Sequence, residues 1–434
     1  MRNKKPWNVL VFPGGTENGL EINKSLRYAK EVMLYSASSS VKNHAEYMFE
    51  NHFVVSDIFN DNCLAEINNI IEQNEIDYIF PANSLIIDFL VEHRSDLKCE
   101  VILPDSDIVR TVRSKKSTYE LFKNRIPVPQ VFQNIEEIDI YPVFIKPDSL
   151  YGSQGTRKVN SSSEMEYMQP NLKEYVISEY LCGDEFTVEC FSSKEKGVMY
   201  SMARSRERIR MGTSMRSELA PEKIQMETKE IANTIFELLI IDGLWFFQMK
   251  YDKNGVLKLL EIETRVAGTM AYSRCMGVNL PLANLYLKAG KQIKINPQKY
   301  EMVIDRSLAN RYTTNIEYDV VYIDLDDTII VKGKLNLEII KFLYQCVNKG
   351  KRIVLISKSL VKDKNGLLNK LKIIQLFDEI VWLEENENKA DMISEKKSIF
   401  IDDSFSQRKE VEDKHSIPTF EPNMIEVLMD DRSV

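Results

Sequence analysis

The sequence predicts an α/β protein of several domains, and three observations carry that expectation. The first hundred residues alternate short β-rich runs (NVLVFPGG, EVMLYSAS, IDYIFPAN, EVILPDS) with helix-like stretches, the pattern of a small doubly wound parallel sheet. The middle of the chain holds six further strand-like runs, VFIKP, YVISEYL, EFTVECF, VMYSMAR, WFFQMKYD and VLKLLEIE. Near residue 320 an apolar run, VVYI, empties into Asp324-Leu-Asp326-Asp327-Thr328. Two carboxylates two positions apart at the end of a buried strand are costly unless a divalent cation or a phosphate faces them.

Composition narrows the function classes. A chain of 434 residues is long enough for several cores, and its charged and apolar fractions are those of globular proteins. The net charge of −8 argues against a broad nucleic-acid or anionic-membrane surface. Six cysteines without a CxxC pair and four histidines without metal-pair spacing suggest neither a disulfide framework nor a zinc site. The apolar stretch at Trp7 to Pro13 is too short for a signal core or a membrane span, so the expected location is the cytoplasm.

Taken in chain order, Gly14, Gly15 and Thr16 follow the first strand, where a tight turn can hold an anion. From Ser106 one helix, with apolar positions at Val112, Tyr119, Leu121 and Phe122, is expected to run to about Pro127. Lys146 ends the run YPVFIKP, and a glycine-bearing loop follows with Gly152, Ser153 and Gly155; backbone N–H groups of such a loop close over phosphate oxygens while the lysine supplies charge. Glu179, the Tyr180–Leu181 backbone and Glu185 come next. Alternation points Glu261, Glu263 and Arg265 to one side of a strand, with Gln248 facing them from the neighbouring strand, a set suited to Mg²⁺ and triphosphate. The same alternation would place Arg204, Arg206, Arg208 and Arg210 in one cationic patch for a substrate carboxylate and a phosphate. Residues 298–316 read as a linker.

This order of elements resembles the ATP-grasp superfamily over roughly Met1 to Pro297, with an N-terminal domain at 1–108 and the ATP-grasp domain at 109–297. The resemblance implies ATP and Mg²⁺ (or Mn²⁺) as cofactors. Lys115 and Lys146 would contact the nucleotide, Lys116 being the alternative to Lys115 because the register is open by one. Glu179, Tyr180 and Leu181 would bind adenine and Glu185 the ribose; Gln248, Glu261 and Glu263 would hold the metal, and Arg265 the phosphates. Many family members read E-I-N-P-R where this chain reads Glu261-Ile-Glu263-Thr-Arg265. Within the superfamily the chain looks most like the carboxylate–amine ligases related to the carbamoyl-phosphate synthase large subunit, which implies an acyl-phosphate intermediate, a small-molecule carboxylate and amine as partners, and Arg206, Arg208 and Arg210 near the substrate. A homo-oligomer is compatible with this reading.

In the last third, RIVLIS ends at Ser357, Lys389 follows in ENKADMI, and SIFIDDS delivers Asp402 and Asp403. Four strand tips are expected to carry these groups to the carboxyl edge of a parallel sheet. With the aspartate motif this order resembles the haloacid dehalogenase superfamily over 317–434, a Rossmann-like domain. The resemblance implies Asp324 as nucleophile, Asp326 as general acid and base, Ser357 and Lys389 on the phosphoryl group, and Asp324, Asp326, Asp402 and Asp403 around Mg²⁺. Gaps of about thirty residues leave no room for an inserted cap. The combined expectation is an ATP-dependent ligase fused to a phosphatase-like domain, with a docking or regulatory C-terminal module, or a nucleotide binder without turnover, as the alternatives.

Overall fold

The computed structural model describes residues 5–39, 42–149, 155–168, 174–210, 212–310, 312, 314–358 and 363–432. They form two compact units, Met1–Leu308 and Ala309–Val434. Among the described residues no helix is long and apolar enough to cross a membrane.

The first unit opens with strands β1 (Trp7–Phe12), β2 (Val32–Ser38), β3 (Asn51–Val54), β4 (Tyr78–Pro81) and β5 (Glu100–Val101), and helices α1 (Glu17–Leu26), α2 (Cys63–Gln73) and α3 (Ser84–Glu92). The strands pair in parallel in the order β3-β2-β1-β4-β5. β1 is buried on both faces from Asn8 onward, hence the apolar run of Val9, Leu10, Val11 and Phe12. Val9 and Val11 pack with Ile22 and Leu26 of α1, while Leu10 and Phe12 pack with Ile67 of α2 and Ile87 of α3.

Two helices follow, α4 (Ser106–Arg113) and α5 (Lys115–Phe122), where the sequence suggested one. Ser114 breaks the run: its backbone is extended (φ −92°, ψ 119°) and its hydroxyl accepts the Ser117 N–H, capping α5. The break sets Lys115 at the first helical position. β6 (Val131–Phe132), β7 (Val143–Pro147), β8 (Arg157–Val159) and β9 (Tyr175–Glu179) make an antiparallel sheet in the order β6-β9-β7-β8, and α6 (Ser162–Met168) lies between β8 and β9 in sequence.

The larger antiparallel sheet contains β10 (Glu185–Ser193), β11 (Gly197–Ser205), β14 (Gly243–Tyr251) and β15 (Leu257–Glu263), in the order β11-β10-β14-β15. Its two faces follow from strand alternation. Phe186, Val188, Cys190, Trp245, Phe247 and Met249 pack against Ile231, Ile235 and Leu239 of α7 (Glu222–Leu239). The alternate positions, Glu185, Thr187, Glu189, Phe246, Gln248 and Lys250, are left to face the other way. Helices α8 (Ala271–Cys275) and α9 (Leu280–Lys288) follow β15. β12 (Arg208–Arg210), β13 (Thr213–Glu218) and β16 (Val303–Asp305) form a third, small sheet. The stretch 298–316 is therefore not all linker: Asp305 sits opposite Arg216 and ion-pairs with Arg208 at 2.6 Å and Arg216 at 3.3 Å, and the three apolar residues Met302, Val303 and Ile304 are too short a run to announce this strand.

The second unit is built on parallel strands β17 (Val320–Ile323), β20 (Arg352–Ser357), β21 (Glu379–Trp382), β22 (Ser398–Ile401) and β23 (Thr419–Phe420), in the order β21-β20-β17-β22-β23. A two-stranded ribbon, β18 (Ile330–Val331) and β19 (Lys334–Leu335), follows β17, and helices α10 (Leu337–Asn348), α11 (Lys364–Lys370) and α12 (Phe405–His415) complete the unit. Val321 and Ile323 enter one core with Ile339, Phe342 and Leu343 of α10; Val320 and Tyr322 enter the other with Val411 of α12.

Candidate active sites

In the first unit, a cavity of about 180 Å³ is walled by Lys115, Phe144, Lys146, Glu179, Tyr180, Leu181, Glu185, Arg206, Gln248 and Glu261. Lys146, at the end of β7, is buried; its Nζ donates to the Tyr119 hydroxyl at 2.5 Å, and that hydroxyl donates to the Leu260 carbonyl at 2.7 Å. Burial, helped by the neighbouring Lys115 charge, pushes its pKa down to about 7. Lys115 Nζ donates to the Asp148 carbonyl at 3.1 Å. Lys116 is not part of this wall; its backbone N–H donates to the Asp148 carboxylate at 2.8 Å.

Glu179 Oε1 accepts the Gln130 N–H at 2.8 Å and pairs with Lys258. The Glu185 carboxylate lies 2.6 Å from Arg206 Nε and 3.3 Å from Lys250 Nζ. Gly155 has φ +66° and a Cβ there would stand 3.1 Å from Pro147, but it is Thr156 that reaches the cavity wall. Gly152 and Ser153 lie outside the described residues.

A second cavity, of about 240 Å³, shares Arg206, Gly212, Gln248 and Glu261 with the first. Its other walls include Thr16, Asn83 and Ser84 from the carboxyl ends of β1 and β4, together with Thr187, Phe246, Arg265, Gly268 and Thr269. β1 lies between β2 and β4, so the strand order reverses there, where open parallel sheets bind ligands. Gly14 and Gly15 serve packing: a Cβ would fall 2.5 Å from Ser36 Cβ and 2.0 Å from Asn43 Oδ1. Thr16 alone of that turn lines the cavity.

The metal candidates separate in depth. Gln248 and Glu261 are register partners on β14 and β15 and wall both cavities. Among the described residues no hydrogen bond or ion pair engages the Glu261 carboxylate, so a hard-oxygen donor is available for a divalent cation, and the set fits Mg²⁺. Glu263 is buried behind them, 3.4 Å from the Ser84 hydroxyl and 3.4 Å from Arg265. Arg265 faces the second cavity; its Nε donates to Ser84 Oγ at 3.0 Å and its guanidinium lies 5.2 Å from the centre of the Phe246 ring.

The expected arginine patch does not form. β11 ends at Ser205 and β12 starts at Arg208 in a different sheet, so the chain passes from one sheet to the other between them and a single alternation does not carry across. Arg204 is fully buried on Glu189 at 2.5 Å. Arg206 walls both cavities and donates to the Gly212 carbonyl at 2.7 Å. Arg208 is exposed on Asp305 and Arg210 is exposed at the end of β12; neither lines a cavity wall given above.

Comparison with known proteins bears on this unit. Residues 171–309 match the family model described as ATP-grasp in the biosynthetic pathway with Ter operon. A D-alanine–D-alanine ligase of Fusobacterium nucleatum is 32% identical over 74 residues, 17% of this chain; the match spans 26% of that enzyme's length. The biotin carboxylase domain of Hydrogenobacter thermophilus 2-oxoglutarate carboxylase, solved with MgADP and bicarbonate, superimposes with a TM-score of 0.58 at 13% identity, covering 68% of this chain and 72% of that one. N5-carboxyaminoimidazole synthetase from Staphylococcus aureus with ADP gives 0.56 at 16% identity, covering 71% and 84%. The chain contains an ATP-grasp fold. Gln248 and Glu261 lie within the matched stretch, and the second cavity opens toward the N-terminal parallel sheet.

The second unit gathers its acids at the carboxyl edge of its own sheet. Lys389 Nζ bridges Asp324 Oδ1 and Asp402 Oδ2, each at 2.6 Å, with all three residues buried. Carboxylate oxygens of Asp324, Asp402 and Asp403 lie within 4.8 Å of one another. Burial raises the Asp324 carboxyl above its ordinary range and the adjacent Asp402 adds to this, against the pull of Lys389; Asp402 is raised by burial as well. Burial works against the Lys389 charge, but the two carboxylates hold its pKa above the usual value.

The Asp403 N–H donates to Thr328 Oγ1 at 3.0 Å, and Arg408 donates to the Asp402 and Asp403 carbonyls at 2.7 Å, fixing the turn that aims both acids. Asp326 is exposed two residues beyond Asp324, and Ser357 is buried at the tip of β20 beside β17. Lys389 does not sit on a strand tip as expected. It opens a short 3-10 turn, Lys389–Met392, capped by Asn388, so a loop carries the cation inward.

Proposed function

We propose that the first unit is a Mg²⁺- and ATP-dependent ligase joining a carboxylate to an amine, and that the second is a Mg²⁺-dependent phosphohydrolase of the haloacid dehalogenase type acting on a phosphorylated substrate or product. The observation that carries the ligase reading is the common wall of two cavities, with Gln248, Glu261 and Arg206 between them. The first cavity suits a nucleotide: Tyr180 and Leu181 offer backbone and apolar contact, Glu179 and Glu185 acceptors, and Lys115, Lys146 and Thr156 would face the phosphates. The second suits the carboxylate, with Arg206 and Arg265 as its cations. Gln248 and Glu261, with Glu263 behind them, would hold the magnesium ion, which would supply charge neutralisation at the γ-phosphate.

The carboxylate oxygen attacks the γ-phosphorus, ADP leaves, and an acyl phosphate results. The amine nitrogen then attacks the acyl carbon, losing a proton as inorganic phosphate departs. The chain supplies positioning and charge, and no covalent nucleophile is needed. In the second unit Asp324 attacks the phosphorus and Asp326 protonates the departing oxygen, then deprotonates the water that cleaves the aspartyl phosphate. Lys389 offsets charge on Asp324 and Asp402, the role it has in the geometry above.

The test is ADP release from the purified chain with Mg·ATP and defined pools of carboxylates and amines, followed by mass spectrometry of the product. ADP and phosphate in equal amounts with an amide product are expected. Stoichiometric AMP would overturn the acyl-phosphate route.

A further inference from the structure

Behind the second cavity lies a buried ion pair that the chemistry above does not use. Arg204 on β11 and Glu189 on β10 are 0% and 1% exposed. One guanidinium nitrogen of Arg204 donates to Glu189 Oε2 at 2.5 Å and to Ser273 Oγ at 3.2 Å; the other donates to Thr269 Oγ1 at 3.0 Å. Ser273 donates in turn to Glu189 and accepts from the Tyr200 hydroxyl at 3.0 Å, and the guanidinium lies 5.6 Å from the centre of the Tyr272 ring. Glu189 Oε1 and Arg204 Nε have no partner among the described residues. A buried pair left partly unsatisfied is a poor device for stability, since a well-packed apolar pair of the same size does as well or better.

The position of the pair gives it another use. Residues Arg265, Ala267, Gly268 and Thr269 are consecutive wall segments of the second cavity, joining β15 to α8. They enter that wall with little regular structure of their own. Arg204 ties the far end of the segment, at Thr269 and Ser273, to the sheet face that carries Thr187, another wall residue. At the near end Arg265 is tied to Ser84.

We propose that Arg204, oriented by Glu189, is a positioning residue that fixes the 265–269 segment and thereby the shape of the second cavity, leaving the nucleotide cavity unaffected. The assignment of that cavity to the acceptor rests on the ligase reading; the anchoring of the segment does not. The fork geometry matters: a lysine amine at 204 cannot reach Glu189, Ser273 and Thr269 together.

Hydrogen exchange of the full chain tests this without knowledge of the acceptor. In Arg204→Lys and Thr269→Val the amides of residues 265–270 are expected to exchange about tenfold faster or more, with residues 179–181 unchanged. Thr269→Ser, which keeps the hydroxyl, should restore wild-type exchange. The affinity for Mg·AMP-PNP should stay within about threefold in every variant. Unchanged exchange at 265–270 in folded Thr269→Val, a Thr269→Ser variant as fast as Thr269→Val, or nucleotide affinity falling in parallel with faster exchange overturns the proposal. Failure of the wild-type chain to bind Mg·AMP-PNP sinks the ligase reading instead, and the exchange comparison still decides the anchoring.

Discussion

Lys146 shows how one residue couples burial to ligand charge. Its pKa is pushed down to about 7 from 10.5 by burial, so between those values the unfolded chain holds a proton that the folded one lacks. That difference makes stability rise with pH through this window. A polyphosphate placed beside the amine favours its charged form, and nucleotide binding at pH 8 is expected to take up about one proton. Calorimetry in buffers of different ionisation enthalpy reads the uptake, and Lys146→Arg should erase it; no uptake by the wild type would remove Lys146 from the phosphate site. Glu261→Gln is expected to slow ADP formation about a hundredfold by removing charge where the phosphoryl group transfers, whereas Arg208→Ala and Arg210→Ala should stay near wild type. Rates for the three variants under saturating Mg·ATP decide it. The arginines also mark where the sequence misled: alternation holds only while a strand continues, and the passage from one sheet to another after Ser205 leaves Arg204, Arg206 and Arg208 in three different surroundings.

Elements were legible where one local pattern fixes them. VFIKP is β7 over Val143–Pro147, and VVYI is β17, because apolar β-type runs bounded by turn residues have no other stable use in this context. β16 was not legible, since Val303–Asp305 is a three-residue edge strand with only Ile304 turned toward the core, and its arginine partners at Asp305 are remote in sequence. The break at Ser114 was missed because a capping serine inside an amphipathic run looks like an ordinary polar position. Helix α7 supplies the apolar face beneath the sheet that carries the catalytic candidates. Ile235, 0% exposed, packs within that layer. Ile235→Ala is expected to destabilise the first unit by about 2–5 kcal/mol, through lost transfer energy and the cavity left behind. Denaturant unfolding followed by tryptophan fluorescence, to which Trp7 and Trp245 of this unit contribute, measures this; a loss below about 1 kcal/mol would mean the α7 layer collapses around the gap or contributes little.

At the scale of the whole molecule, the two candidate sites differ in how far their residues are spread. The acids of the second unit sit at strand tips within one stretch of chain, Asp324 to Asp403, so their order in sequence announces them. The second cavity of the first unit collects walls from Thr16 to Thr269, and no local pattern brings those residues together. Each unit has its own parallel sheet and its own cores, and the site residues named above, taken among the described residues, belong to one unit for each site. The two proposed activities are therefore expected to be separable by single substitutions in the intact chain. Asp324→Asn removes the attacking oxygen's charge while keeping its shape, so Mg²⁺-dependent hydrolysis of p-nitrophenyl phosphate should disappear while Mg·ATP-dependent ADP formation is kept. Glu261→Gln should do the reverse. On the proposed phosphohydrolase mechanism, Asp326→Asn would retain the nucleophile but lack the group that protonates the leaving oxygen and activates water, so phosphate should remain on the protein, visible as a hydroxylamine-labile mass increase. Loss of both activities in Asp324→Asn would show that the sites are coupled. Absence of phosphate hydrolysis in the wild type, with ADP formation intact, would leave the second unit a docking or regulatory module built on an acid cluster clamped by Lys389.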